Sequence, residues 1–135
     1  MWRIRYGDGS NASGTVGTDN ITLGGLCIEN QAIELAAKLS TQFTKGKGDG
    51  LLGLGFGTIN TVKPKTVKTP VENMIEQEDI PEEMELFTCY LGSWRDKDEQ
   101  DKGESFYTFG YIDEEVILRC GTQPHYVPID SSKGF

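Results

Sequence analysis

The chain has 135 residues, enough for one domain, and is rich in glycine, with 17 of them. Thirteen basic residues against twenty-one acidic ones leave a net charge of −8, which argues against nucleic acid, because such a surface repels phosphates. No run of about 18 apolar residues is present, so no membrane span is expected, and no apolar segment opens the chain as a signal peptide would.

The first two segments, residues 2–6 and 12–18, alternate apolar and polar positions around a tip of Gly7, Asp8 and Gly9. That pattern predicts a β-hairpin, since glycines supply the backbone angles of a tight turn. A second hairpin is expected from residues 19–23 and 26–37, turning at Gly24-Gly25. Residues 31–40 are ambiguous, because Ile33, Leu35, Ala36, Ala37 and Leu39 also suit a helix. Residues 51–54 form a short apolar run between glycines, which reads as a buried strand.

One helix is expected, at residues 70–78. Thr69 can cap the free amides, Pro70 suits the first helical position, and Glu72 completes a capping box. Val71, Met74 and Ile75 then share a face, and Pro81 ends the segment. Strands follow at 86–92, 105–112 and 124–129, separated by a charged loop over 95–104. That loop fails as a calcium site, because Asp101 stands where an EF-hand needs its turning glycine. The fold class is therefore mostly β with one short helix.

Several chemistries are excluded by spacing. Gly53-Leu54-Gly55-Phe56-Gly57 lacks the dinucleotide-loop pattern and a following helix, and Gly46-Lys47-Gly48-Asp49-Gly50 is not a P-loop. A single histidine, His125, leaves serine chemistry unsupported. The three cysteines, Cys27, Cys89 and Cys120, show no C-x-x-C spacing, so neither a metal nor another cofactor is expected. Cys27 lies between Leu26 and Ile28, where a buried free thiol is the simplest expectation. Asn11-Ala12-Ser13 and Asn20-Ile21-Thr22 both fit the glycosylation sequon.

The tip segment Tyr6-Gly7-Asp8-Gly9-Ser10, followed by Gly14, Thr18 and Asp19, resembles the flap of pepsin-like aspartic endopeptidases, most of all fungal ones of the penicillopepsin and aspergillopepsin type. Further blocks occur in the family's order: Asp49-Gly50-Leu51-Leu52-Gly53, Leu86-Phe87-Thr88-Cys89-Tyr90, Phe109-Gly110-Tyr111-Ile112-Asp113 and Tyr126-Val127-Pro128-Ile129. The resemblance spans the chain and implies part of a pepsin-like β-barrel lobe with some inter-lobe strands, as a single fragment. It favours strand over helix for residues 30–36, with irregularity after them. It also makes Cys89 and Cys120 the cysteines that could form a disulfide.

Such enzymes work with two facing aspartates that share a proton and activate water. Each aspartate sits in an Asp-Thr-Gly or Asp-Ser-Gly loop, and this sequence contains neither. Asp130-Ser131-Ser132 is the nearest approach and lacks the glycine. The expectation is a fragment of a secreted enzyme, inactive alone, that carries the flap and part of the substrate cleft.

The resemblance implies that Tyr6 walls the pocket for the residue before the cut and that the amides of Gly7 and Asp8 bond the substrate backbone. Ser10 belongs to the same tip, and Phe43 and Leu51 would line the pocket with apolar surface. The Asp8 carboxylate would pair with a substrate lysine, although a turn-forming role bonded to its own backbone is an open alternative. The partner is a peptide or protein substrate. Self-association, or pairing with the missing lobe segments, is expected from uncovered strand edges. The alternative reading is a non-catalytic β-domain that binds peptides or acts as an inhibitor or effector.

Overall fold

The computed structural model describes residues 1–93, 95, 98, 102–130 and 132. The charged-loop expectation, including Asp101, therefore falls largely outside the described residues. The chain divides into two compact units, residues 1–79 with 130–135, and residues 80–129.

The first unit is built on a three-stranded antiparallel sheet in the order β1 (Trp2–Arg5), β2 (Asn11–Leu23), β3 (Leu26–Leu39). Alternation decides which face is buried. Trp2 and Ala12 lie inside and Arg3, Arg5 and Asn11 outside, as the two-residue period of a strand requires. Gly24 and Gly25 both take positive φ, 57° and 90°, in the two-residue turn that joins β2 to β3, the turn type whose twist suits a hairpin. Two irregularities interrupt the β2–β3 ladder, between Ser13 and Gly14 and between Asp19 and Ile21. At the first, Ser13 pairs with Lys38 and Gly14 with Ala36, so Ala37 is the extra residue. A β-carbon on Gly14 would fall on the Leu35 carbonyl oxygen and 2.9 Å from the Ala37 nitrogen, so only glycine fits.

The core of this unit is Trp2, Ala12 and Val62, with Ile4, Val16, Phe43 and Val67 packed around them. Trp2 pairs with Val62 in an isolated antiparallel bridge. The Lys63 N–H donates to the Met1 carbonyl at 2.9 Å, and the Met1 amino group donates to the Lys63 carbonyl at 3.1 Å. A one-turn helix, α1 (Thr41–Thr44), follows β3.

Helix α2 (Pro70–Glu76) forms where expected and for the expected reason. The Thr69 hydroxyl accepts from the Glu72 N–H at 3.2 Å, and the Glu72 carboxylate accepts from the Thr69 N–H at 2.8 Å. Its buried Met74 is fully shielded from solvent. The buried Asn73 side-chain amide donates to the Gln31 side-chain oxygen Oε1 at 2.9 Å, tying α2 to β3. Gln77 adds a reciprocal pair with the Glu29 backbone, both bonds 2.9 Å.

The second unit holds a two-stranded antiparallel ribbon, β4 (Phe87–Leu91) and β5 (Ser105–Phe109). Tyr90 stacks on Phe106 across it at 5.1 Å between ring centroids, and the hydroxyls of Thr88 and Thr108 bond to each other. Helix α3 (Glu114–Cys120) follows, with the Asp113 carboxylate accepting from the Val116 N–H at 3.0 Å and Gly121 ending it at φ 67°. Arg119 lies over the Tyr90 ring, 5.4 Å from its centroid.

The architecture is mostly β in antiparallel sheets, as expected, though the described strands do not close into a barrel. Four expectations are corrected. Residues 51–54 are not a buried strand; Leu51 and Leu52 are exposed and no strand lies beside them among the described residues. Residues 124–129 are not a strand either, since Pro124 and Pro128 lack N–H donors and no described strand pairs with them. Helix α3 was not expected, and neither was the one-turn α1. Cys27 is exposed rather than buried, because β3 turns its neighbour Ile28 inward instead.

Candidate functional site

The hairpin tip is held by its own backbone and one carboxylate. The Tyr6 N–H donates to the Ser10 carbonyl at 2.9 Å, and the Gly9 N–H donates to the Tyr6 carbonyl at 3.0 Å. Gly9 adopts φ 84°, which a side chain would disfavour. Inside this turn the Asp8 Oδ1 accepts from the Ser10 N–H at 2.9 Å and from the Ser10 hydroxyl at 2.6 Å. These two bonds, the hydroxyl first, hold the Asp8 carboxyl below its usual pKa, because they stabilise the charged form. Ser10 is buried although Asp8 is exposed.

Asp8 thus plays the turn-forming role. Its Oδ1 locks the tip from a carboxylate that is itself exposed to solvent. A β-carbon on Gly7 would meet nothing within 4 Å, and its N–H makes no backbone hydrogen bond among the described residues. The tip therefore presents main-chain donors to whatever lies against it.

Tyr6 and Phe43 come together. Their rings meet edge to face with centroids 5.6 Å apart and planes at 61°, a favourable aromatic geometry. Phe43 reaches this position from α1, which begins where β3 ends; the Ser40 N–H bonds the Asn11 carbonyl at 2.9 Å, fixing α1 beside the hairpin base. Leu51 is 72% exposed in the irregular segment after α1.

Of the remaining candidates, Asn11 and Asn20 are both exposed on β2, and the Asn20 side-chain oxygen accepts from the Asn30 N–H at 2.9 Å. Cys27, Cys89 and Cys120 are all exposed free thiols, so the structure contains no Cys89–Cys120 bond. Among the described residues no cluster of His, Cys, Asp or Glu could hold a metal ion, and no helix is long and apolar enough to cross a membrane. The second unit carries an apolar cleft of about 290 Å³ between β4 and α3, lined by Phe87, Tyr90, Val116, Ile117 and Tyr126 among others. It brings no set of acid and base groups together.

Sequence reasoning missed one feature of the site, the buried Ser10 hydroxyl whose bond helps hold the Asp8 carboxyl below its usual pKa. The spacing Asp8-Gly9-Ser10 was a usable signal, since an aspartate commonly bonds the backbone two residues on.

The site is thus a glycine-tipped β-hairpin with Tyr6 at its base and Phe43 packed against that ring, on a mostly β chain. The chain belongs to the eukaryotic aspartyl protease family, whose model matches residues 1–135. It is similar to Rhizopuspepsin-3 of Rhizopus niveus, 46% identical over 134 residues, and to Rhizopuspepsin-1 of the same fungus, 47% identical over 134. Aspartic protease pepA of Arthroderma gypseum is 40% identical over 136 residues. Each comparison covers 99% of this chain but only 30–31% of the relative.

Proposed function

We propose that the chain is the flap-bearing segment of a secreted aspartic endopeptidase, which grips a peptide substrate and does not cleave it alone. The observation that carries this reading is the locked tip over the Tyr6–Phe43 pair. Tyr6 and Phe43 offer an apolar wall, Gly7 and Asp8 offer backbone donors, and the exposed Asp8 carboxylate can pair with a lysine ammonium. Ser10 fixes the tip, and Leu51 would add further apolar surface to the wall.

No aspartate of the chain stands in an Asp-Thr-Gly or Asp-Ser-Gly loop, so the water-activating pair belongs to parts of the parent enzyme outside this sequence. The test is digestion of an acid-denatured protein by the purified chain at acid pH, with and without a transition-state mimic. Turnover that the mimic abolishes and that tracks with the intact mass of this chain refutes inactivity. For binding, Tyr6→Ala is expected to weaken the affinity for an apolar peptide. An unchanged Kd refutes the flap role.

Three further parts of the reading rest on the same family membership. Asn11 and Asn20 are proposed as glycan acceptors of the secreted parent, both being exposed. A Cys89–Cys120 bridge is proposed for an oxidising compartment, where thiol titration would find one free thiol rather than three. Leu51, Leu52, Phe56 and Ile59 are exposed together, and self-association through such surface is expected in light scattering.

A further inference from the structure

Ser40 occupies the N-cap position of α1 (Thr41–Thr44), with an extended backbone at φ −70° and ψ 161°. A serine there ordinarily turns its hydroxyl onto an amide of the helix it starts. Here no side-chain cap bond forms. The Phe43 and Thr44 N–H groups donate to the Ser40 carbonyl instead, at 3.0 and 3.3 Å. The hydroxyl is used across the sheet. It accepts from the Asn11 N–H, 29 positions earlier in the chain, at 3.1 Å, and the Ser40 N–H returns a bond to the Asn11 carbonyl at 2.9 Å.

The peptide group between Ser10 and Asn11 is thereby held at both ends. Its carbonyl accepts from the Tyr6 N–H at 2.9 Å, and its N–H donates to the Ser40 hydroxyl. A path of bonds runs from Tyr6 through this peptide to Ser40 and on to Phe43. The edge-to-face contact of the two rings, 5.6 Å between centroids, closes that path into a ring. Hydrogen bonds in series polarise one another, so such a path holds its geometry better than isolated bonds would. A helix of one turn is too short to hold its own shape, and α1 buries none of its residues. Where Phe43 stands therefore depends on what anchors the start of α1.

We propose that Ser40 is a positioning residue: by giving its hydroxyl to Asn11 rather than to α1, it sets Phe43 against Tyr6 and fixes the apolar wall that meets a peptide side chain. Its bearing on substrate rests on the flap reading of the hairpin. Alanine at this position keeps the backbone bonds and leaves only the Asn11 N–H without its acceptor. Threonine keeps the hydroxyl and is itself an accepted N-cap residue.

The experiment follows the Tyr6 ring resonances of the folded chain by NMR, which the neighbouring Phe43 ring shifts. Phe43→Ala marks the position of a lost contact. Ser40→Ala is expected to move Tyr6 most of the way to that position, and Ser40→Thr to stay with the parent chain. Thr69→Ala, which removes the hydroxyl bond that caps α2, controls for lost stability alone and should leave Tyr6 in place. Tyr6 resonances that hold still in Ser40→Ala, that move equally in Thr69→Ala, or that threonine fails to restore overturn the proposal. Binding of a blocked tripeptide of leucine, phenylalanine and leucine is measured on the same variants. Ser40→Ala should weaken its Kd roughly three- to tenfold, the effect of one lost hydrogen bond. If Tyr6 moves as expected while Tyr6→Ala and Ser40→Ala both leave the Kd unchanged, the flap reading falls and the placement of Phe43 by Ser40 stands.

Discussion

Replacing Gly14 by alanine should destabilise the first unit far more than its single added methyl suggests. The new β-carbon would meet the Leu35 carbonyl oxygen and stand 2.9 Å from the Ala37 nitrogen, where carbon contacts settle at roughly 3.5–4.0 Å. Both obstacles are backbone atoms of β3, so no rotamer change relieves them. The strands must part at the irregularity, which costs about 1–3 kcal/mol as overpacking and weakens one or two ladder hydrogen bonds at about 1 kcal/mol each. Alanine returns about 0.5–1 kcal/mol of backbone entropy relative to glycine. The net loss is about 2–4 kcal/mol, or a Tm lower by about 6–15 °C for a chain of this size. Trp2 pairs directly with Gly14, so Trp2 fluorescence in a Trp94→Phe background reports the transition. Gly17→Ala is the control, because its β-carbon meets only the Leu35 side chain at 3.4 Å; it should be neutral or slightly stabilising. Equal melting of the Gly14→Ala and parent chains refutes the steric argument.

Three other perturbations are equally specific. Thr69→Ala removes the capping box of α2 and should cost about 1 kcal/mol, read from urea denaturation; no change in midpoint would show the cap to be idle. Asn73→Leu leaves the Gln31 side-chain oxygen buried without its donor and should cost about 1–3 kcal/mol, whereas a stabilised variant would mean that the pair is not needed. At the tip, the Asp8 carboxyl has a folded pKa below its unfolded value. Its contribution is therefore complete above the unfolded pKa and disappears as pH falls through the lower folded one. Exchange protection of the Ser10 N–H should persist through the ordinary aspartate range and fail only below it, and Asp8→Ala should lack that protection at every pH. Protection already lost within the ordinary range would contradict this assignment.

What could be read from the sequence was whatever depended on local chemistry. Thr69, Pro70 and Glu72 specify a helix start among near neighbours, and Gly24-Gly25 specifies a two-residue turn by backbone angle alone. The Tyr6–Ser10 tip was legible for the same reason. Residues 51–54 and 124–129 were misread because an apolar run becomes a strand only beside a partner, and partner strands are not a local property. Helix α3 was legible in principle: Asp113 as cap, Glu114 and Glu115 in its first turn, Arg119 in its last and Gly121 beyond it match every terminal preference. It was hidden by reading Ile112 and its neighbours as the end of a strand. The encounter of Tyr6 with Phe43 needed the family resemblance, since nothing local links the two positions.

The bridge from Trp2 to Val62 also has a kinetic meaning. Its companion bond between Met1 and Lys63 joins positions 62 apart in sequence, whereas the β2–β3 ladder grows outward from a two-residue turn. Closing a long loop costs entropy before any contact repays it, so the zipper from Gly24-Gly25 should form early. The segment carrying Val62 should dock last, onto a first strand that the Tyr6–Ser10 tip already holds beside β2, and its arrival closes the core around Trp2. The same segment should be the earliest to detach on unfolding, which makes the indole a reporter of the final step of assembly.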